Sequence, residues 1–458
     1  MRTGIILILL GSLLGCGGMK DWIHPDVDKA FTGQTFTAQQ LQQDLDYLVA
    51  TMSRRHPAFE QYVDSEQFTA QVERLSAQLK DNMTRKEAFA VIGQLTPYFN
   101  DGHSILFPLL AEFTYAEEAG VQTFPFGVNI RDGKIRLAHT YQRSDDQKTL
   151  AAGSEIISID GHAASEIIAR LTPLSHGESP ALRESMLSLL FHYWLFAVFD
   201  VKGDIQLALK DNGQTTTLTL RNDQQWERAG AGQDDNELTF ISPQVAYLRI
   251  DSFDVDTEQA AYDAFIDASF EQIRQQDAQT LIIDIRGNTG GQSDAGAQII
   301  QYLTDKPVPQ GSVAIEKLNS DTNGWFGYRG EPGEVIELSV ESDGMIEPVE
   351  PSLQFKGDVW VVIDRMSYSA AILFATTIQD NQLGKLIGEP TGGFANQTGN
   401  LTPFYLPNTR LLMLAPGRFI VRPSGNKAKQ PVMPDVRLTD EALADPLPWL
   451  KTHPLPSA

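Results

Sequence analysis

Two short stretches hold residue types that could do chemistry together. The first is Arg365-Met366-Ser367-Tyr368-Ser369-Ala370-Ala371, set between the apolar run Val359–Ile363 and an apolar helical pattern from Ile372 to about Ile378. A serine at a strand-to-helix turn exposes its hydroxyl. The backbone N–H groups just after it lack intrahelical partners. A nucleophilic serine needs both, although a helix N-cap has the same appearance. The second stretch is Asp284-Ile285-Arg286-Gly287-Asn288-Thr289-Gly290-Gly291, which follows the apolar run Thr280–Ile285. Glycines there can turn N–H groups toward a developing oxyanion. A phosphate loop is excluded because the Walker spacing and its Gly-Lys pair are missing, and dinucleotide spacing is missing too. Asp284 and Arg286 read as a carboxylate–guanidinium pair that shapes the strand end.

The elements that must position these stretches fall into three regions, and the chain reads as α/β, an α+β multidomain protein. Leu41, Leu45 and Leu48, then Phe68, Val72, Leu75 and Leu79, carry helical spacing. Thr84 with Glu87 predicts a capping box opening a third helix. These define an N-terminal helical domain over 37–110, in which Asn100-Asp101-Gly102-His103-Ser104 breaks the pattern as a turn. A β-rich region covers 121–222. Its run Gly153 to Gly161 resembles the strand and turn of PDZ modules, which bind extended chain ends by adding a strand to a sheet edge. An apolar helix from Met186 to Phe199 interrupts it, and Phe191, Tyr193, Trp194 and Phe196 read as core or domain interface. The acidic, Gly-rich run 223–236 reads as a linker. Strands and helices alternate over 236–447. The near-continuous apolar strands there predict a parallel sheet covered on both faces. The polar segment 316–354 reads as an exposed insertion.

Composition narrows the function. The 458 residues carry a net charge of −23, with 42% hydrophobic and 21% charged residues. That acidity argues against nucleic acid and against direct adsorption to an anionic bilayer, both of which reward clustered Lys and Arg. The single cysteine, Cys16, excludes an intrachain disulfide and cysteine-based zinc sites. No metal or other cofactor is implied. Met1-Arg2, the apolar run Ile5–Leu10 and Leu13-Leu14-Gly15-Cys16 fit a signal peptide over 1–16. Its end resembles the bacterial lipobox, so Cys16 is expected to carry lipid and anchor the chain in the cell envelope, periplasmic and on the outer membrane. Residues 17–36 then form a linker.

Asp-Ile-Arg-Gly-Asn-Thr-Gly-Gly, then Ser-Tyr-Ser-Ala-Ala, then Gly388-Glu389-Pro390-Thr391-Gly392-Gly393, resembles the tail-specific (C-terminal processing) proteases of the S41 serine peptidase family. Pro434-Asp435 and Asp445-Pro446 fit the same resemblance. It covers residues 40–445 and implies a crotonase-like ββα-spiral core with a polypeptide substrate. By position it implies Ser369 as nucleophile, ahead of Ser367. Ala370 with Gly290 or Gly291 are the implied oxyanion donors. The processing proteases place a lysine base directly after Gly-Glu-Pro-Thr-x-Gly, but Phe394 stands there and Lys385 lies too early. The tricorn-like branch uses a histidine instead, and Asp101-Gly102-His103-Ser104 resembles its Asp-Gly-His motif. His103 is therefore the expected base, since histidine titrates near neutral pH. His56 is second. Ser104, Glu389 and Asp435 are candidates to orient it, and Asn396 is a further polar candidate. Two functions follow from different classes: a serine endopeptidase, or a scaffold without turnover that binds peptides or apolar ligands. An α/β-hydrolase elbow is excluded because no G-x-S-x-G occurs, and no H-E-x-x-H marks a metalloprotease.

Overall fold

The computed structural model describes residues 33–229, 236–255, 258–319, 330–339, 345–453 and 455. The expected signal peptide, Cys16 and most of the 17–36 linker lie outside the described residues. Among the described residues no helix is long and apolar enough to cross a membrane.

The central element is a six-stranded sheet in the order Glu237–Ser242, Val245–Arg249, Thr280–Asp284, Asp358–Ile363, Lys385–Gly388 and Val436–Arg437. Only the first pairing is antiparallel. Successive side chains of a strand point to opposite faces, and both faces here are covered. Leu281, Ile283, Val359 and Val361 join the main core on one side. Ile282, Trp360 and Val362 join a separate cluster with Leu450 on the other. That is why these strands read as unbroken apolar runs. Helix Ala370–Asp380 follows the fourth strand, and Ser369 sits at the turn between them.

A five-stranded sheet stands beside it. Leu412–Val421 pairs with Gln397–Tyr405, with Val313–Lys317 and with the two-residue strand Ile105–Leu106, and Val335–Ser339 closes one edge. The stretch read as an exposed insertion, 316–354, therefore supplies the edge strand Val335–Ser339 and the end of Val313–Lys317. Its charged composition misled because Val335–Ser339 is an edge strand with alternate residues exposed. Likewise the linker expected over 223–236 contains Trp226–Arg228, paired with Tyr141–Arg143.

The N-terminal helices form where the spacing predicts. Ala38–Arg55 and Arg85–Ile92 both open on capping boxes, at Thr37 and at Thr84 with Glu87. A second six-stranded sheet runs in the order Gln214–Leu220, Ile205–Asp211, Glu155–Ile159, Lys134–Leu137, Val128–Arg131, with His162–Ala163 alongside Glu155–Ile159. Its helical insertion is broken into Pro180–Leu189, Phe191–Trp194 and a wider turn, Leu195–Phe199. Phe191, Tyr193, Trp194 and Phe196 are buried as expected. One apolar cluster runs unbroken from Phe36 to Val432, so helical region, second sheet and central sheet share a core.

Candidate active site

Ser369 has φ 54° and ψ −119°, a conformation that costs a non-glycine residue of order 1–3 kcal/mol and persists only where surroundings enforce it. Here they do. The Tyr368 N–H donates to Asn288 O at 2.9 Å. Gln397 Nε2 donates to Ser369 O at 2.8 Å. Gly290 packs so closely that an added Cβ would lie 2.6 Å from Ser369 Cβ and 2.8 Å from Ala370 N. The result leaves Ser369 partly exposed while its neighbours Tyr368 and Ala370 are buried.

His103 arrives by strand pairing. Ile105 and Leu106 pair with Leu414 and Met413, which brings the preceding turn against the core. His103 Nε2 lies 3.0 Å from Ser369 Oγ across 266 positions. Its other ring nitrogen, Nδ1, faces Thr398 Oγ1 at 3.1 Å and Tyr368 Oη at 3.1 Å. The Thr398 hydroxyl donates to Asp101 Oδ1 at 2.7 Å, so toward the histidine its oxygen can only accept. Tyr368 donates to Glu178 Oε1 at 3.2 Å, leaving its oxygen as an acceptor as well. The Nδ1 proton is thereby placed, and the Nε2 lone pair faces the serine. That is the tautomer a general base requires. The Tyr368 and His103 rings pack with centroids 4.8 Å apart.

Asp101 is the hub of this network. It is fully buried and accepts from Thr398, from Ser104 Oγ at 2.6 Å and from the His103 N–H at 3.2 Å. His56 Nε2 lies 3.3 Å from its other oxygen. The Ala58 N–H donates to His56 Nδ1, so that ring's proton is on Nε2, toward the carboxylate. Burial alone would raise the Asp101 carboxyl, but the bond and charge of His56, with His103 and Ser104, hold it well below the usual carboxylate range. Burial pushes His103 down to about 4, against the pull of Asp101. Glu178 is pushed up to about 8 by burial and by the Asp101 charge.

The N–H groups separate the oxyanion candidates. Gly290 donates to Asn288 Oδ1 at 2.9 Å, so its N–H is engaged. Those of Ala370 and Gly291 donate to no described residue.

Other expected residues lie elsewhere. Ser367 is buried and donates to Ile285 O at 2.8 Å. Ser104 serves Asp101 and not the histidine. Glu389 is held between Arg131 and Arg365, with bonds of 3.0 to 3.3 Å. Asp435 Oδ2 accepts from the Leu386 N–H at 2.8 Å. Neither acid orients His103. Each is committed to joining strands or loops of the core. Asn396 braces the loop at Asn426 and Ala428. Lys385 begins the fifth strand of the central sheet, at the end opposite the serine, with Nζ 5.7 Å from the Trp360 ring centroid. Asp284 and Arg286 pair as expected, with Arg249 added. Thr398 and Glu178 have no motif of their own, and Tyr368 lies inside the Ser-Tyr-Ser-Ala-Ala motif without a role read for it. Asp101 had a local signal: an Asp two residues before the His whose N–H it accepts is an Asx turn. Among the described residues no cluster of His, Cys, Asp and Glu could hold a metal ion.

Residues 244–438 match the model of peptidase family S41, so this part of the chain is an S41 peptidase domain. A tail-specific protease of Haemophilus influenzae is 30% identical over 123 residues, 27% of this chain and 14% of that protein. A chloroplastic carboxyl-terminal-processing peptidase 2 of Arabidopsis thaliana is 24% identical over 197 residues, 41% of this chain and 32% of that one. The match thus spans under a third of each relative's length. Among solved structures, mature CPAF superposes with a TM-score of 0.65 at 17% identity, over 90% of this chain and 96% of that one. The photosystem II D1 C-terminal processing protease gives 0.50 at 18% identity, over 88% and 95%. At these identities the structures establish a shared fold.

Proposed function

We propose that the chain is a serine endopeptidase acting on extended polypeptide segments. The observation that carries this is the 3.0 Å contact between His103 Nε2 and Ser369 Oγ, with the Nδ1 proton already taken up on the far side. In the reaction Ser369 Oγ attacks the peptide carbonyl carbon as its proton passes to His103 Nε2. The carbonyl oxygen becomes an oxyanion held by the Ala370 and Gly291 N–H groups. The positive imidazolium is stabilised through Thr398 by Asp101. His103 then returns the proton to the leaving amine as the C–N bond breaks, and water repeats the sequence on the acyl-enzyme. Phe394 stands where a lysine base would be, and the histidine supplies the function. Asp101 and Thr398 take the orienting role that the sequence suggested for Ser104, Glu389 or Asp435.

In this reading residues 121–222 are a PDZ-like module and 236–447 a crotonase-like core, with the helical domain of 37–110 lending the base. The Leu13-Leu14-Gly15-Cys16 motif supports secretion and a lipid anchor at Cys16, which Cys16→Ser would remove from the membrane fraction. The activity is tested with a fluorophosphonate probe and intact-protein mass spectrometry. Wild type gains one adduct, while Ser369→Ala gains none and His103→Ala reacts far more slowly. A wild-type chain that stays unlabelled, or an Ser369→Ala chain labelled equally, would sink the proposal. Because CPAF has been solved with lactacystin, that compound serves as a second acylating probe.

A further inference from the structure

The second six-stranded sheet ends on Val128–Arg131, whose only sheet partner among the described residues is Lys134–Leu137. An edge strand offers a row of unpaired N–H and C=O groups, the template that peptide-binding sheets use to add a strand. Here the edge is taken by the protein's own helix. Pro180–Leu189 packs along Val128–Arg131. The Ile130 N–H donates to Ser188 Oγ at 2.8 Å, and the Ser188 hydroxyl donates in turn to Glu184 O within the helix at 2.8 Å. Leu182, Met186 and Leu187 are 0%, 0% and 1% exposed, so the helix cannot lift without uncovering three apolar side chains. Just before the strand, the Gly127 N–H that could help capture a terminal carboxylate donates to Tyr141 Oη at 2.7 Å.

The same helix is tied to the core at its other end. Ser179 Oγ donates to Gly392 O at 2.6 Å. Arg183 donates to Pro97 O at 2.8 Å and to Asn100 Oδ1 at 2.9 Å, beside the Asp101–His103 turn. Glu184 pairs with Arg365 at 3.3 Å. Arg365 shares Glu389 with Arg131 of the edge strand itself. Strand edge, helix and serine loop close a ring of contacts.

We propose that helix Pro180–Leu189 is a built-in occupant of this sheet edge. The protein then neither selects substrates by their C-terminal tails nor needs a bound tail to bring His103 to Ser369. The inference rests on the serine-peptidase reading and names its substrates as internal extended segments. It separates this chain from what the names of its curated relatives describe.

Two measurements on the full chain test it. In the first, a fluorescein-labelled random decapeptide pool, as free acid or C-terminal amide, is titrated onto the Ser369→Ala protein and followed by polarisation. The expected result is no difference between acid and amide. Saturable binding that amidation weakens about tenfold or more overturns the proposal. In the second, the fluorophosphonate labelling rate of wild type is read with and without the unlabelled free-acid pool. The expected rates agree within about twofold, and an acceleration of about tenfold by acid but not amide overturns the proposal. A wild type that no probe labels removes the peptidase reading, and the polarisation titration still decides the edge.

Discussion

Replacing Thr398 by valine removes one hydroxyl and little volume, at a site that is 2% exposed. The hydroxyl has two partners. It accepts from His103 Nδ1 at 3.1 Å and donates to Asp101 Oδ1 at 2.7 Å. Without it the Nδ1 proton keeps one acceptor, Tyr368 Oη at 3.1 Å, and the carboxylate loses its bridge to the ring. A hydrogen bond to a charged group contributes roughly 1.5–3 kcal/mol. The bond is charged only when His103 has taken the serine proton, so the loss falls on the transition state. At about 1.4 kcal/mol per decade, that lowers the acylation rate roughly 10- to 100-fold. The assay is the second-order rate of fluorophosphonate labelling at neutral pH, on proteins shown to be folded by circular dichroism. Thr398→Ser restores the oxygen and recovers most of the rate. The reasoning is refuted if Thr398→Val reacts within about twofold of wild type, or if the serine variant is as slow as the valine one.

Asp101→Asn puts an amide donor against the hydroxyls of Thr398 and Ser104. It is expected to lower the labelling rate by more than Thr398→Val and to reduce the melting temperature in the same sample. Gly290→Ala drives a methyl group into Ser369 and Ala370 N, and should abolish labelling. Ser369→Gly relieves a positive φ and should melt above Ser369→Ala, by an amount equivalent to about 1 kcal/mol or more. In pH profiles, the base must be neutral, so labelling rises through about 4 and needs no further deprotonation of His103 above that. Because burial holds His103 at about 4 and His176 at about 3, below their unfolded values, both contribute stability that is present above the unfolded histidine pKa. That stability is lost as the pH falls toward those values, as thermal melts across the range will show. Glu178, raised to about 8, has the opposite sign: its contribution is present below its unfolded pKa and lost as pH rises through about 8. The Glu178→Gln variant should lose that decline, which runs from pH 4.5 to about 8.

How much of the site was legible depended on what kind of distance separates its parts. Ser369 and His103 stood in local motifs, and each lies at a turn whose residues differ from the apolar runs around it. The lysine position was decided by one residue, Phe394. Thr398 was hidden because nothing near it in sequence marks it. It stands 295 positions from His103 and meets it only through strand pairing. The acid was sought near the glycine motif, where Glu389 and Asp435 lie, whereas it stands two residues before the histidine. Glu178 lies just before the helical insertion, whose apolar spacing announced burial and not the site. Fold class was easier, because the parallel strands needed cover on both faces. The edge strands were not, because half-exposed alternation in Val335–Ser339 reads as loop composition.

The strand Leu412–Val421 sets the distance between His103 and Thr398. Ile105–Leu106 pairs along one side of it and Gln397–Tyr405 along the other, so His103 and Thr398 are both registered against the same backbone. A slip of one residue on either side would shift a side chain by about 3.4 Å and turn it to the opposite face. The order of synthesis gives this a consequence. The ribosome delivers His103 first, Ser369 266 residues later, and the strand that aligns His103 and Thr398 last of all. Until that strand emerges the nascent chain carries Ser369 and His103 but not the backbone against which Ile105–Leu106 and Gln397–Tyr405 are registered.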